Sequence, residues 1–161
     1  MRQIFLPVFS KTCEYAFRAT VELARASWAG ERLTMPVVAQ RIGAPKAFTA
    51  KVLQDLARAG IIMSQRGPNG GFDLPPAHAR RINLRMVMDA VGGGPEDNAC
   101  VMGLGDCRAS DPCPMHHSFE RIKQELGHVL DTTYVHGFVQ ALEQGAEYKT
   151  LAVKRQGQTE N

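Results

Sequence analysis

Cys100, Cys107 and Cys113 stand close together, with six and five residues between them, and His116 follows just behind the last. Thiolates are soft donors that suit iron–sulfur clusters and zinc, and an imidazole can complete either set. The gaps are wider than the roughly two to four residues of a structural zinc knuckle, which favours a larger multi-iron group over a single ion. Three free thiols on a loop are the plainer alternative. The remaining cysteine, Cys13, falls on an apolar helical stripe and reads as core. A second set of residues is cationic. Lys46, Lys51, Arg58 and Arg66 fall within a short span in which only Asp55 opposes them. Cations so placed can hold phosphates, and an arginine on a narrow turn can enter a minor groove. Ala47 and Ala50 offer a base edge only apolar contact with thymine methyls, so hydrogen-bonded base reading falls to Lys51 and Thr49.

These residues need elements to position them. Residues 12–29 place Cys13, Ala16, Phe17, Thr20, Val21, Ala24 and Trp28 at helical spacing, ended by Gly30. Thr34 as N-cap, Pro36 in the first turn and Val37, Val38, Ala39 and Ile42 predict a short second helix that stops at Gly43. Pro45 opens a third, carrying Phe48, Val52, Leu53, Leu56 and Ala57 to Gly60. Two short helices joined by a glycine turn form a helix-turn-helix pattern. Ile61–Met63 and Phe72–Leu74 then read as strands around Arg66-Gly67-Pro68-Asn69-Gly70-Gly71, with Asn69-Gly70 expected at the centre of the hairpin turn in positive φ. Helix-turn-helix followed by hairpin is a winged helix. Asn83–Val91 repeats helical spacing, residues 92–117 form a loop rich in glycine and proline, and Phe119 to Leu142 predicts one helix of about seven turns. Its stripe, with Phe119, Ile122, Leu126 and Val129, is longer than so small a domain can cover and predicts packing against a second chain.

The chain has 161 residues, 44% of them hydrophobic and 22% charged, enough for one domain with an appended arm. No apolar run reaches the roughly 18 residues of a membrane span, and four cysteines are too few to staple a secreted fold of this size. A cytoplasmic protein with no membrane partner is expected. The net charge of +3 conceals an asymmetry: residues 1–90 carry 13 Lys and Arg against 6 Asp and Glu, residues 91–161 carry 6 against 10. The basic half is where a polyanion would bind. No nucleophile–base pair or phosphate-binding glycine motif accompanies it, so the pattern speaks against an enzyme.

Lys11-Thr12-Cys13-Glu14-Tyr15-Ala16, Val52-Leu53-Gln54-Asp55-Leu56, Arg66-Gly67-Pro68-Asn69-Gly70-Gly71-Phe72 and the three-cysteine loop together resemble the Rrf-two family of IscR-, NsrR- and RirA-like winged-helix regulators, over about residues 10–140. The resemblance implies a homodimer on near-palindromic double-stranded promoter DNA, its affinity adjusted by a 2Fe-2S or 4Fe-4S cluster. It implies Cys100, Cys107 and Cys113 as cluster ligands, with His116, or Glu14 from the other subunit, as the fourth. It also makes Arg66 the wing arginine of the minor groove. Two departures stand out: the first cysteine gap is six residues rather than five, and Ala50 occupies a position where some members carry an acidic base reader. The expected organisation is a mainly α chain with a small β-hairpin: a winged helix-turn-helix over 10–91, a cluster loop over 92–117, a long dimerisation helix over 118–145 and a disordered tail over 146–161. The expected DNA contacts are Lys46, Thr49, Lys51 and Arg66. Iron supply, redox state and nitric oxide all remain open as signals, and so do activation and repression. The alternatives are a cluster-free thiol-sensing or a zinc-containing DNA-binding regulator, and, with less support, an iron–sulfur electron carrier or enzyme.

Overall fold

The computed structural model describes residues 8–93 and 99–145; the expected tail, 146–161, and residues 94–98 of the expected loop lie outside the described residues. Among the described residues the chain runs α1 (Lys11–Trp28), α2 (Met35–Ile42), α3 (Lys46–Arg58), β1 (Met63–Gln65), β2 (Gly71–Asp73), α4 (Pro76–Ala79), α5 (Leu84–Ala90), α6 (His116–Thr132) and α7 (Val135–Glu143). The mainly helical winged helix with one antiparallel hairpin is the fold class that the periodicities imply.

Ser10 caps α1, its hydroxyl accepting the Cys13 N–H at 3.2 Å, a device worth about 1 kcal/mol. The apolar pattern predicts one buried stripe, yet α1 buries Cys13, Ala16, Ala19, Thr20, Leu23, Ala24 and Ala26, because α2, α3, α5 and α7 all pack around it. Alanines on several sides let those neighbours approach closely. The Thr20 hydroxyl is spent on the Ala16 carbonyl at 2.7 Å, which removes the cost of burying it. Trp28, expected on the stripe, is 40% exposed and leans on the His136 ring instead. Gly43, with φ 63°, turns α2 into α3, and Val52, Leu53 and Leu56 bury the inner face of α3.

The hairpin differs from expectation at its turn. Asn69 and Gly70 do not have positive φ; the turn spans Gly67–Gly70, closed by the Gly70 N–H on the Gly67 carbonyl at 2.9 Å, with Pro68 and Asn69 as its central pair. Proline presets that turn's φ, and the left-handed backbone is shifted to Gly67 and Gly71. Gly71 has a further constraint: a Cβ there would meet the Leu33 carbonyl oxygen at 2.6 Å. That approach lets Leu33 and Phe72 exchange two backbone hydrogen bonds, of 3.0 and 2.7 Å, and fixes the hairpin to the segment before α2.

The single helix expected over Phe119–Leu142 is two helices. Thr133 and Tyr134 are extended and bridge the segment before α5: the Leu84 N–H donates to the Thr133 carbonyl at 3.0 Å and the Val135 N–H to the Ile82 carbonyl at 2.9 Å. Backbone pairing and the burial of Val135 and Val139 in the main core outweigh continuation of the helix. The apolar stripe is therefore divided: α7 closes the winged-helix core, while α6 rests on a smaller cluster of Cys13, Met88 and Leu130 flanked by Phe9, Phe17, Leu84 and Leu126.

Candidate cluster site and nucleic-acid interface

Residues 99–115 form a chain of tight turns rather than a packed element. The Cys100 N–H donates to the Gly105 carbonyl at 3.0 Å and the Gly103 N–H to the Cys100 carbonyl at 2.9 Å. Two isolated bridges, Ala99 to Asp106 and Arg108 to Asp111, narrow the loop. Lys123 on α6 holds its start by donating to the Ala99 carbonyl, and the His116 N–H fixes its end by donating to the Cys113 carbonyl at 2.9 Å.

The result is an open cavity of about 270 Å³ whose walls include Cys100, Cys107, Cys113 and His116. All three sulfurs are free thiols. His116 opens α6 and is only 4% exposed. Its Nδ1 lies 3.1 Å from Cys107 Sγ. Its buried Nε2 has no hydrogen-bond partner, although a Glu120 carboxylate oxygen lies 3.4 Å away. Backbone hydrogen bonds from Leu104 and then Met102 hold the Cys100 thiol below the ordinary thiol range, helped by Cys113 and the Lys123 charge. Cys113 is pushed up, first by desolvation. Cys13 is pushed up to about 11 by burial, then by Glu14 and Asp89, as befits a core thiol. Glu14 lies in the first turn of α1, paired with Lys11 at 2.7 Å, and does not line this cavity in its own chain.

The basic surface lies on α3 and the hairpin. Lys46 and Lys51 are exposed on α3 and Arg66 at the hairpin turn. Asp55 binds Lys51 at 3.1 Å and Arg58 at 3.4 Å, so part of the positive charge is locally balanced. Thr49 corrects the sequence expectation: it is fully buried, its hydroxyl donating to the Pro45 carbonyl at 3.0 Å, and it cannot meet a base. Its place between Phe48 and Ala50 puts it on the inward face with Val52 and Leu53. Of the expected dimer residues, Ile122 and Val129 are more than half exposed, Phe119 is half-buried, and Leu126 packs partly into its own chain.

Three residues escaped the sequence reading. Glu120 sits four positions after His116, a signal that becomes visible only when α6 is started at His116 instead of Ser118. Lys123 reaches back to a loop 24 residues earlier, which no local pattern announces. Arg32 braces the hairpin by donating to Gln65 on β1 and, at 2.9 Å, to Asp73 on β2. Among the described residues no helix is long and apolar enough to cross a membrane.

Residues 9–141 match the family model described as Rrf2, iron-dependent transcriptional regulator. A putative HTH-type transcriptional regulator of Aquifex aeolicus is 30% identical over 122 residues, covering 74% of this chain and 82% of that one. The HTH-type transcriptional regulator IscR of Vibrio vulnificus is 30% identical over 119 residues, covering 73% and 68%. Among solved structures, CymR, the global cysteine regulator of B. subtilis, superposes with a TM-score of 0.67 at 20% identity, covering 84% of this chain and 98% of that one.

Proposed function

This chain belongs to the Rrf2 family of transcriptional regulators, and from that premise we propose that it is a homodimer whose affinity for promoter DNA is set by an iron–sulfur cluster in the 99–116 loop. The members of the family are regulators of transcription and not enzymes. The observation that carries the proposal is the convergence of three free thiols and one buried imidazole on a single open cavity, in a segment with no apolar core of its own. The donor set fits a soft-metal cluster: three thiolates with one nitrogen, at wider spacing than a zinc knuckle, with the His116 Nδ1 3.1 Å from Cys107 Sγ. When bound, a cluster supplies iron whose charge and coordination respond to oxidants, nitric oxide or iron supply.

Cys100, Cys107 and Cys113 are the thiolate ligands under this reading, and His116 is favoured over Glu14 of the partner subunit because its Nδ1 already lies beside Cys107. Glu120 faces the other nitrogen, the position from which a carboxylate orients a ligating histidine. Lys46, Lys51 and Arg66 carry phosphate and groove contacts on DNA. Ile122 and Val129, flanked by Phe119 and Leu126, supply the apolar seam on which two α6 helices pair. The loop joins α5 to α6, so ordering it alters the link between the DNA-facing body and that seam.

Anaerobic purification followed by iron and sulfide quantitation, and promoter binding by loaded and cluster-free protein, tests the proposal. A coloured protein that contains iron and sulfide and binds DNA differently in the two states is expected. Cys107→Ala should abolish the colour, whereas His116→Ala should shift the spectrum or shorten its lifetime and Glu14→Ala should do neither. A colourless protein whose DNA affinity responds only to thiol oxidation would replace the cluster with a thiol sensor. Zinc in place of iron would make the site structural.

A further inference from the structure

The outward face of α3 carries an aromatic ring where a base-reading side chain would be expected. Lys46, Ala47, Phe48, Lys51, Gln54 and Arg58 are exposed along it and Ala50 is half-buried. In its first two turns only the two lysines can hydrogen-bond, and Lys51 is tied to Asp55. Phe48 is 43% exposed, but it is not loose. Its ring and that of Tyr15 meet at a steep angle of 68°, with centroids 5.8 Å apart. Tyr15 is covered in turn by the Arg18 guanidinium at 4.8 Å, which donates to the Ile42 carbonyl at the end of α2 at 2.8 Å. Phe48 is thus an apolar group held stiffly against α1 at the start of the helix that faces DNA, with its outer side in water.

We propose that Phe48 reads the 5-methyl group of a thymine in the operator major groove. That methyl is the apolar group on the major-groove edges of unmodified base pairs, and burying it against a pre-positioned ring carries no loss of ring freedom on binding. The flanking alanines leave the groove floor open to the ring, so no hydrogen-bonding side chain at positions 47 or 50 competes with it. The operator of this protein is therefore recognised at this position by methyl contact. The inference rests on the DNA-binding reading above.

The test starts from a duplex selected out of a random library by the purified dimer, in which each thymine is replaced in turn by deoxyuridine. Wild-type protein should lose affinity at one thymine per half-site, about fourfold for each methyl and about sixteenfold when both half-sites are altered. Phe48→Ala should bind the thymine and uracil duplexes equally, with an unchanged salt slope, whereas Phe48→Leu should keep most of the discrimination. Thermal melting of both variants checks that each is folded. A wild-type protein indifferent to every uracil replacement would overturn the inference, as would a Phe48→Ala protein that retains the discrimination in full. Failure of the dimer to select any duplex would instead remove the DNA-binding reading itself.

Discussion

The winged-helix body and the cysteine loop are stabilised by different physics. The body surrounds α1 with a continuous core that includes Leu23, Ile42, Val52, Leu53, Leu56, Leu74, Ile82, Val87, Val135 and Val139. The 99–115 loop contributes no side chain to either core cluster and instead exposes Val101, Met102 and Leu104, the last at 69%. Turns, two bridges and a lysine contact define its path. The body is secured by excluded water, whereas the loop is secured by backbone turns and a few polar contacts. The proposed sensing role would use that division, because the segment that would respond is the one with least of its own stabilisation.

The sharpest way to break the comparison is to damage each region and record thermal stability. Leu53→Ala should cost about 2–5 kcal/mol, with and without cluster, because the side chain is fully buried where α3 meets α1. Cys107→Ala should leave cluster-free melting within about 0.5 kcal/mol of wild type, as expected of a partly exposed side chain outside the core. A large loss from the cysteine change alone would mean that the loop is part of the folding unit. Amide exchange followed by mass spectrometry sharpens the contrast. Cluster loading should slow exchange through residues 99–115 by at least about tenfold and leave α1 and α3 unchanged, since a ligand that binds only the ordered loop shifts only its opening.

Smaller effects are expected on the basic surface of α3 and the hairpin. Arg66→Ala should flatten the dependence of log affinity on log salt by about one unit, the loss of one phosphate contact. Asp55→Asn should act in the opposite direction. It releases Lys51 and Arg58 from their shared carboxylate, and a several-fold rise in affinity at low salt is the expected result. Equal affinity in wild type and variant would show that those cations do not face DNA.

The least change is expected in thiol chemistry. In cluster-free protein near neutral pH, Cys100 should alkylate before Cys113, and Cys13 should resist until the chain unfolds. The sign follows from the shifts: hydrogen bonds lower Cys100, so its thiolate is populated at a pH where Cys113, raised by desolvation, is still a thiol. Cys13 at about 11 stays protonated throughout that range, and it is buried as well. Peptide mapping after a timed exposure to iodoacetamide reads the order directly.

Most of the body was legible in the sequence because its signals are local. Gly43 and Gly60 end helices, and the 3.6-residue spacing of Val52, Leu53 and Leu56 needs only a helix to become a core face. The set of three cysteines and one histidine was legible too, since donor type and spacing are properties of the chain. Other features depended on what lay opposite. Thr49 has a residue type suited to reading bases, and only the packing of α3 turned it inward. The break at Thr133–Tyr134 arises from backbone partners at Ile82 and Leu84, some fifty residues earlier, which a helical periodicity cannot register. At the hairpin, tertiary contact constrains Gly71, which must pass close to Leu33. Composition and spacing determined the kinds of element and the chemistry available, since propensity, capping and ligand type act within a few residues. Tertiary structure decided which side chains face water and where α6 ends, because those outcomes are set by contacts between segments far apart in the chain.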